Sequence, residues 1–339
     1  MRLAVVGTGR MATVRTTSLM KNPEVILCAV ASRRLENAQV FAATFGAQAV
    51  CTDRYEQLAE SSPDAVLVEV PHRVQDEVVL WALEANLHVL VGGCLASSSS
   101  TGERVSSIAN DRRLIVETGY EARYKDVWKS ADQLVRSGDI GEILLIQTTA
   151  LIGQDTQSWY YDQHLSGGMV PTHMTYAFLN PMRWMFGTPL SLTAISNKKH
   201  NVLDSAVDNE TCVAAITFPG NVICSMVAGY RKPEQLDAWS VRLLGSQGSI
   251  ELSPGDDTAG HLDHYPQHGI PRRLAFETNT AFDNQANAFL AAIAGAPGGL
   301  MNPPHDSLLD MQLSDQIVQS AAQGGALITT HFEQGVKCE

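Results

Sequence analysis

The sequence lacks the features that mark membrane, disulfide-linked and metal-binding proteins. No apolar run approaches the ~18–20 residues that span a bilayer, and the first apolar run, at Leu3, has no basic segment of a secretory signal before it. The six cysteines form no Cys-x-x-Cys pair, and the ten histidines show no His-Glu-x-x-His spacing. We therefore predict a cytoplasmic protein with free thiols and no metal site.

Positive charge is also scarce. The chain carries 24 Lys and Arg residues against 36 Asp and Glu residues, a formal net charge of −12. This balance argues against nucleic acids and anionic membranes as partners, because both bind basic surfaces. With 339 residues, 45% of them hydrophobic, the chain is long enough for two domains with real cores. We expect the partner to be a small-molecule substrate.

A nucleotide-binding pattern opens the chain. The apolar run from Leu3 to Val6 leads directly into Gly7-Thr8-Gly9-Arg10-Met11-Ala12, a segment that can be helical follows, and a second apolar run covers 25–31. This order predicts a βαβ unit that carries the Gly-x-Gly-x-x-Ala variant of the dinucleotide fingerprint where strand turns into helix.

Each position of the fingerprint has a physical role. Gly7 can adopt the backbone angles of the tight turn, Gly9 lets a pyrophosphate approach, and Ala12 is small enough for the helix to pack on the strand. The phosphates would bind the free N–H groups at the helix N-terminus. The candidate cofactor contacts here are Gly7, Thr8, Gly9, Arg10 and Met11.

The end of the second strand indicates which cofactor binds. NAD-binding units usually carry an acid there for the ribose 2′-hydroxyl, whereas this chain has Ser32, Arg33 and Arg34. A carboxylate would repel a 2′-phosphate and an arginine would attract it. We therefore predict that NADP(H) is preferred, with NAD(H) as the alternative. The other interpretation is that the arginines merely solvate a loop.

Short apolar strands and helices alternate up to Gly119, which is typical of a doubly wound parallel sheet. Beyond the first unit, strands are predicted at 65–70, 88–91 and 114–118, and helices at 35–45, 75–85 and 101–109. We assign residues 1–119 to a Rossmann domain of the α/β class.

From residue 120 onward the strands follow one another with short turns such as Pro219-Gly220-Asn221, which predicts an antiparallel sheet. Strands are predicted at 142–151, 190–195, 211–218, 222–229, 240–244 and 249–252, and helices at 126–138, after residue 168, at 282–294 and at 307–323. The stretch with His261, His264 and His268 is predicted to be a surface loop. We assign 120–339 to an α+β domain with an open, mainly antiparallel sheet, for substrate binding and oligomerisation.

Several further motifs form a specific set together with the fingerprint. They are Ala31-Ser32-Arg33, Pro71, His88-Val89-Leu90, Ser137-Gly138-Asp139-Ile140-Gly141-Glu142, Ser166-Gly167-Gly168 and Leu243-Leu244-Gly245-Ser246-Gln247-Gly248-Ser249. With this set the chain resembles the glucose–fructose oxidoreductase, inositol dehydrogenase and MocA (Gfo/Idh/MocA) family over nearly its whole length. The resemblance implies a nicotinamide-binding Rossmann domain, with Pro71 near the cofactor, and a second domain through whose sheet many members pair. Apolar residues at both parities of 211–218 and 222–229 likewise favour a homodimer or homotetramer.

The departures from the family fall on its catalytic residues. Members commonly carry Glu-Lys-Pro where this chain has Gly92, Gly93 and Cys94, so the position of the lysine is Gly93. The resemblance makes these three residues candidate cofactor contacts. The family's Asp and His on the helix after the Ser-Gly-Gly turn correspond to His173 and Ala177. The usual proton-transfer set has therefore been replaced entirely.

His173 is the first candidate for acid–base chemistry, because an unperturbed histidine pKa of ~6.5 suits proton transfer near neutral pH. The alternative catalytic candidates are Tyr161 and His164, and the candidate substrate contacts are Arg123, Tyr124, Tyr160 and Tyr176. The structural alternative for His173 is a hydrogen-bonded polar residue in a helix. For Cys94 it is a small residue that fills the place of the proline, since no base or cation in the sequence marks a reactive thiol.

Two functions stay open from the sequence. The first is an NADP(H)-dependent oxidoreductase, with reduction favoured, that acts on a carbonyl, imine or conjugated group of a small sugar-like or cyclic metabolite through a non-standard proton donor. The second is a cofactor-binding protein that is redox-inactive: a sensor, a scaffold or a non-redox catalyst. Reduction or oxidation of bound cofactor by candidate substrates would separate them.

Overall fold

The computed structural model describes residues 1–153, 157–198, 207, 210–231, 238–255, 260–276, 280–296 and 299–330. Its strands are β1 (Arg2–Val6), β2 (Ile26–Ala31), β3 (Val50–Thr52), β4 (Ala65–Val68), β5 (His88–Val91), β6 (Val116–Thr118), β7 (Ile143–Gly153), β8 (Ser191–Asn197), β9 (Thr211–Phe218), β10 (Val222–Arg231), β11 (Ala238–Gly245), β12 (Gly248–Ser253), β13 (Gly260–Pro266), β14 (Arg272–Phe276) and β15 (Ile328–Thr329). Its α-helices are α1 (Arg10–Met20), α2 (Leu35–Thr44), α3 (His72–Glu84), α4 (Ser99–Arg112), α5 (Asp126–Arg136), α6 (Gln163–Ser166), α7 (Asn180–Phe186), α8 (Thr280–Ile293) and α9 (Pro304–Ala322). Val170–Leu179 forms a π-helix, and short 3-10 turns cover Tyr55–Ser61, Glu121–Tyr124, Trp159–Tyr161 and Pro219–Asn221.

Internal contacts divide the chain into two units. The first comprises Met1–Tyr120 together with Phe282–Leu308, and the second comprises Glu121–Ala281 together with Leu309–Glu339. The segment from Phe282 to Leu308 thus packs with the first unit, although it follows the second in the chain. The domain bounds expected from the sequence, 1–119 and 120–339, stay a prediction.

The first unit is built on a six-stranded parallel sheet in the order β3-β2-β1-β4-β5-β6. All four residues of β4 are fully buried, and so are Leu3, Ala4 and Val5 of β1. Uninterrupted apolar strands of this kind occur when helices cover both faces of a parallel sheet. The doubly wound fold predicted for the N-terminal part of the chain is confirmed.

The second unit is built on a nine-stranded sheet in the order β14-β13-β12-β11-β7-β10-β9-β8-β15. The central pair, β7 and β10, is parallel, and the other neighbouring strands are antiparallel. Along β9 the residues Cys212, Ala214, Ile216 and Phe218 are buried, and the residues between them face outward. This alternation is typical of a sheet with one covered face, so the predicted α+β part is also confirmed.

The prediction of a surface loop around His261 and His264 is wrong. Both residues lie in β13, which pairs with β12 and β14, and His264 is only 5% exposed. The inward positions of β13 are Gly260, Leu262 and His264, so polar residues hide the period-two pattern that identifies a strand. The short strands β3, β14 and β15 were missed as well. In the described parts of the chain, no group of three His, Cys, Asp or Glu residues could hold a metal ion, and no helix is long and apolar enough to cross a bilayer.

A buried ion network stabilises the second unit. Asp310 has no exposed surface and accepts hydrogen bonds from Arg183 Nε at 2.7 Å and from Asn180 Nδ2 at 2.8 Å. The guanidinium group of Arg123 lies 3.7 Å from the same carboxylate. Charges removed from water in this way need their partners, because an uncompensated buried charge is strongly destabilising.

We predict that Asp310→Ala lowers the free energy of unfolding by about 3–5 kcal/mol, since it leaves two guanidinium groups buried without this carboxylate. The matched control is Glu251→Ala, which breaks the exposed pair with Arg242 and should cost about 0–1 kcal/mol. Urea unfolding, followed by circular dichroism, measures both values. Equal losses in the two variants would contradict the assignment of Asp310 as a structural anchor.

Candidate active site

The turn after β1 has the geometry that a dinucleotide needs. Gly7 has a φ of +102°, and a side chain there would overlap the backbone carbonyl of Glu69. At Gly9, an added Cβ would find no described atom within 4 Å, so the backbone is open to a ligand. Helix α1 begins immediately afterwards, with no acidic residue in its first turn. Free N–H groups and the helix dipole can therefore bind a pyrophosphate, and the residues present fit this part of the cofactor.

The residues at the end of β2 fit the adenosine side of the cofactor. The Thr8 and Ser32 hydroxyls lie 3.1 Å apart, so the turn after β1 and the end of β2 meet at one point. Arg33 and Arg34 follow with exposed side chains, and Arg34 is the N-cap of α2. Arg10 is also exposed, and Met11 is half-buried. Cationic side chains next to the ribose position could bind a 2′-phosphate.

Two polar side chains occupy the space that Gly92 and Gly93 leave open at the end of β5. A Cβ on Gly92 would overlap the carboxyl group of Glu69. At Gly93 the φ is +71°, and a Cβ would lie 2.9 Å from His72 Nε2. Both polar residues were missed by the sequence analysis, although the carboxyl ends of neighbouring parallel strands meet at one edge of the sheet. Pro71, the N-cap of α3, stands directly before His72.

Arg15, which lies on helix α1, holds the Glu69 carboxylate. Its Nε lies 2.7 Å from Glu69 Oε1, and its Nη2 donates to the carbonyl of Gly119 at 2.7 Å. The Nη1 atom donates to the side chain of Gln285, which belongs to the returning segment of the first unit. Arg15 is 4% exposed, so this ion pair is shielded from water and holds one geometry. In the sequence, Arg15 is a single arginine within a segment that can be helical, and no local pattern indicates Glu69 as its partner.

Cys94 has the surroundings of an unreactive thiol. It is 3% exposed, its Sγ donates to the carbonyl of Ala96 at 3.1 Å, and its own carbonyl accepts from Gln75 Nε2 at 2.8 Å. Burial, and next the nearby charge of Asp76, raise the pKa of the thiol well above its ordinary value. A thiol that stays protonated is a poor nucleophile. These contacts support the space-filling interpretation of Cys94.

In the second unit, His173 is held by two hydroxyl groups. It lies on the π-helix and is 8% exposed. Its Nδ1 is 2.9 Å from the Tyr230 hydroxyl and 3.1 Å from Thr172 Oγ1, and these two oxygens are 3.2 Å apart. π-Helical segments are rare and often mark functional sites. Thr172 and Tyr230 were missed. Tyr230 lies near the end of β10, 57 positions from His173.

Aromatic rings surround this histidine. The Tyr160 ring meets the His173 ring edge to face at 4.5 Å, and the Tyr161 ring lies 5.0 Å from that of Tyr230. Burial, and then the charge of Glu210, raise the pKa of Tyr161 to about 12. Burial also raises the pKa of Tyr230 far above its ordinary value. Both phenols therefore stay protonated at neutral pH and can donate hydrogen bonds.

The remaining candidates lie elsewhere in the second unit. His164 is exposed on the short helix α6, and Tyr176 packs edge to face on Trp239 at 5.7 Å. Arg123 and Tyr124 are 3% exposed, and Arg123 donates to the carbonyl of Asn180 at 2.9 Å. The contacts of Arg123 give it a structural role. Of the candidates in this unit, Tyr160 and Tyr161 are the ones that share the cluster of His173.

Comparison with known proteins agrees with this architecture. Residues 1–120 match the model of an oxidoreductase family with an NAD-binding Rossmann fold (GFO_IDH_MocA), and residues 128–251 match the GFO/IDH/MocA C-terminal domain. Among solved structures, an inositol dehydrogenase homologue from Azotobacter vinelandii complexed with NAD+ superposes with a TM-score of 0.85 at 18% identity, over 97% of each chain. At that identity the likeness shows the fold alone.

Two curated relatives carry the same name, dTDP-3,4-didehydro-2,6-dideoxy-alpha-D-glucose 3-reductase. The one from Streptomyces antibioticus is 25% identical over 334 residues, which are 95% of this chain and 97% of the relative. The one from Saccharopolyspora spinosa is 30% identical over 258 residues, which are 74% of this chain and 73% of the relative. With both domain models matched in order, the chain belongs to the Gfo/Idh/MocA family of NAD(P)-dependent oxidoreductases.

Proposed function

We propose that this protein is an NADP(H)-dependent reductase of a carbonyl group in a small sugar-like metabolite. The observation that carries the redox function is the open turn at Gly9, which meets the N-terminus of α1 in a chain of this oxidoreductase family. The direction and the substrate class are supported by two relatives that are named as reductases of a dTDP-linked keto sugar. Imines and conjugated groups of cyclic metabolites remain within the same chemistry.

In the proposed mechanism, residues of this chain hold the cofactor and supply the proton. The turn at Gly9 would hold the diphosphate of the cofactor, and Ser32 with Arg33 would hold its 2′-phosphate. When bound, the cofactor supplies the hydride that reduces the carbonyl carbon. His173, in its protonated form, donates Nδ1–H to the Tyr230 oxygen and releases its other proton from Nε2 to the alkoxide oxygen. The ring is then neutral, and the product carries a new C–H bond and a new O–H bond.

The second candidate function is a redox-inactive cofactor-binding protein. It is favoured by the family resemblance, which implies that Gly93, His173 and Ala177 take the positions where members commonly carry Lys, Asp and His. A sensor, scaffold or non-redox catalyst would keep the phosphate-binding turn and need no proton donor. Such a protein would bind cofactor and leave it unchanged.

The cofactor assignment predicts a selective loss in Arg33→Ala. Removing this cation should weaken NADP(H) binding about 5- to 100-fold, because a charge-assisted contact to the 2′-phosphate is lost. NAD(H) binding should change little, since it has no phosphate at this position. Fluorescence titration of both reduced cofactors measures the two constants. Equal losses for both would refute the preference for NADP(H).

The role of His173 predicts that His173→Ala lowers turnover by about 10²–10⁴, the usual contribution of a positioned acid or base. Cofactor affinity should stay nearly unchanged. The matched control is His268→Ala, which removes an exposed imidazole from the same unit and should leave turnover near that of the wild type. Steady-state kinetics with a keto-sugar substrate provide the comparison. Normal turnover in His173→Ala would mean that Tyr160, Tyr161 or His164 is the donor, or that the substrate is reduced without acid catalysis by the protein.

A homo-oligomer built on the open face of the second sheet is part of the proposal. Ile223, Leu145 and Leu244 are neighbours in register across β10, β7 and β11, and Ile223 is 50% and Leu244 42% exposed. Val213, also on this face, is 40% exposed. Apolar side chains that are grouped in this way favour burial against a partner.

Light scattering should give two or four times the chain mass of 36.7 kDa at micromolar concentration. Ile223→Glu should shift the protein toward the monomer, because it places a charge in the apolar group. Ile270→Glu, at a residue that is 87% exposed outside this group, is the control and should keep the mass. A wild-type protein that is monomeric under these conditions would contradict the oligomer.

A further inference from the structure

The end of β4 and the end of β5 lie in the half of the first sheet that receives the second mononucleotide. In the order β3-β2-β1-β4-β5-β6, the chain adds β2 and β3 on one side of β1 and then β4, β5 and β6 on its other side. The order of the strands therefore reverses between β1 and β4. In sheets of this kind a dinucleotide binds outside the carboxyl ends of the strands, across the reversal point. The fingerprint turn after β1 and the end of β2 receive the adenosine half. The ends of β4 and β5 therefore face the nicotinamide half.

At that edge one histidine takes the space of a missing side chain. Gly93 has a φ of +71°, and its absent Cβ would lie 2.9 Å from Nε2 of His72. His72 is the first residue of α3 and is 5% exposed. The imidazole thus stands where a side chain from the loop after β5 would otherwise project.

Gly92 also leaves space that a polar side chain occupies. Gly92 makes room for the carboxylate of Glu69, which Arg15 holds by an ion pair of 2.7 Å. Two consecutive glycines after β5 are therefore matched by two polar side chains, Glu69 directly after β4 and His72 at the start of α3. This double match is difficult to attribute to packing alone, because a small apolar side chain at either glycine would fill the space without burying a charge.

We propose that His72 contacts the nicotinamide end of the bound cofactor and donates a hydrogen bond to the reacting oxygen of the substrate. It is a catalytic residue that the sequence analysis did not name. Its hydrogen bond stabilises the negative charge that develops on this oxygen. Glu69 and Arg15 are positioning residues, since they act through the shape of this edge. The inference rests on the cofactor binding proposed above.

Nuclear magnetic resonance of protein labelled with 15N-histidine tests the contact without turnover. The His72 ring signals are identified by their loss in His72→Gln. They should shift when NADPH is added and stay nearly unshifted with 2′-phospho-ADP-ribose, which lacks the nicotinamide. The ring signals of His268, an exposed residue of the second unit, are the internal control and should not move with either ligand.

The outcomes distinguish a failure of this inference from a failure of the proposed function. Equal shifts of the His72 signals with both ligands, or no shift while calorimetry shows that NADPH binds, would overturn the role of His72 and leave cofactor binding intact. If calorimetry shows that neither NADPH nor NADH binds, the proposed function and this inference both fail. If His72 shifts with NADPH alone but no carbonyl substrate is reduced, the contact stands and the redox function fails.

A double-mutant cycle gives a second, independent test. Gly93→Ala should weaken NADPH binding, because the new Cβ displaces the His72 ring. In the His72→Ala background, the loss of NADPH affinity caused by Gly93→Ala should be smaller by a factor of roughly 3 to 100, as expected for two residues in contact.

His72→Ala should lower turnover by about 10²–10³. Partial recovery in the double variant Gly93→Lys with His72→Ala would show that a cation from the β5 loop can replace the imidazole. Additive effects on NADPH binding, or normal turnover in His72→Ala, would overturn the assignment.

Discussion

Packing around Glu69 determines the geometry of the sheet edge at the carboxyl ends of β1, β4 and β5. Its backbone carbonyl lies where a side chain on Gly7 would stand, so the fingerprint turn can come this close to β4 only with glycine at that position. Its carboxylate excludes a side chain on Gly92 and pairs with Arg15 at 2.7 Å. Because the pair is shielded from water, the loss of either partner would leave an uncompensated charge and cost about 3–5 kcal/mol. A single residue at the end of β4 therefore links the turn after β1, helix α1 and the loop after β5.

This packing gives a physical reason for the two glycines after β5. A side chain on Gly92 or Gly93 would require Glu69 or His72 to move, because the carboxyl group and the imidazole occupy the adjoining space. In the second unit, His173 is held by Thr172 and Tyr230, a hydroxyl environment that suits an imidazole. The chain thus carries polar groups suited to cofactor and substrate chemistry in both units.

Most strands of the first unit could be predicted because they are uninterrupted apolar runs, whereas the short and partly exposed β3 was missed. β5 was predicted with its observed bounds, and β4 differs from its prediction only at the C-terminal end. In the second sheet, β13 was missed because histidine and aspartate hide its alternation, and the parallel pairing of β7 with β10 follows from long-range topology that local patterns do not encode.

Chemistry and spacing together identify Gly7, Gly9 and His173 as candidate site residues, and their roles stay predictions. Partners from distant strands were not predictable, because contacts such as that between His173 and Tyr230 join residues 57 positions apart. His72 could have been noticed beside Pro71, but its relation to Gly93 depends on two strand ends meeting in space. Sequence patterns locate single residues of this kind, whereas the structure supplies their partners.

The central claim is that this chain transfers hydride between a nicotinamide cofactor and a sugar-like carbonyl. The most direct measurement uses NADPH that carries deuterium at C4 of the nicotinamide, with a panel of keto sugars, both free and linked to a nucleoside diphosphate. Mass spectrometry of the products follows the label. The account predicts that deuterium from the cofactor appears on the carbon of one reduced carbonyl, in amounts that equal the cofactor oxidised. Tight binding of NADPH, with its deuterium retained in the presence of every carbonyl, imine and polyol, would contradict the account and favour a sensor or non-redox function.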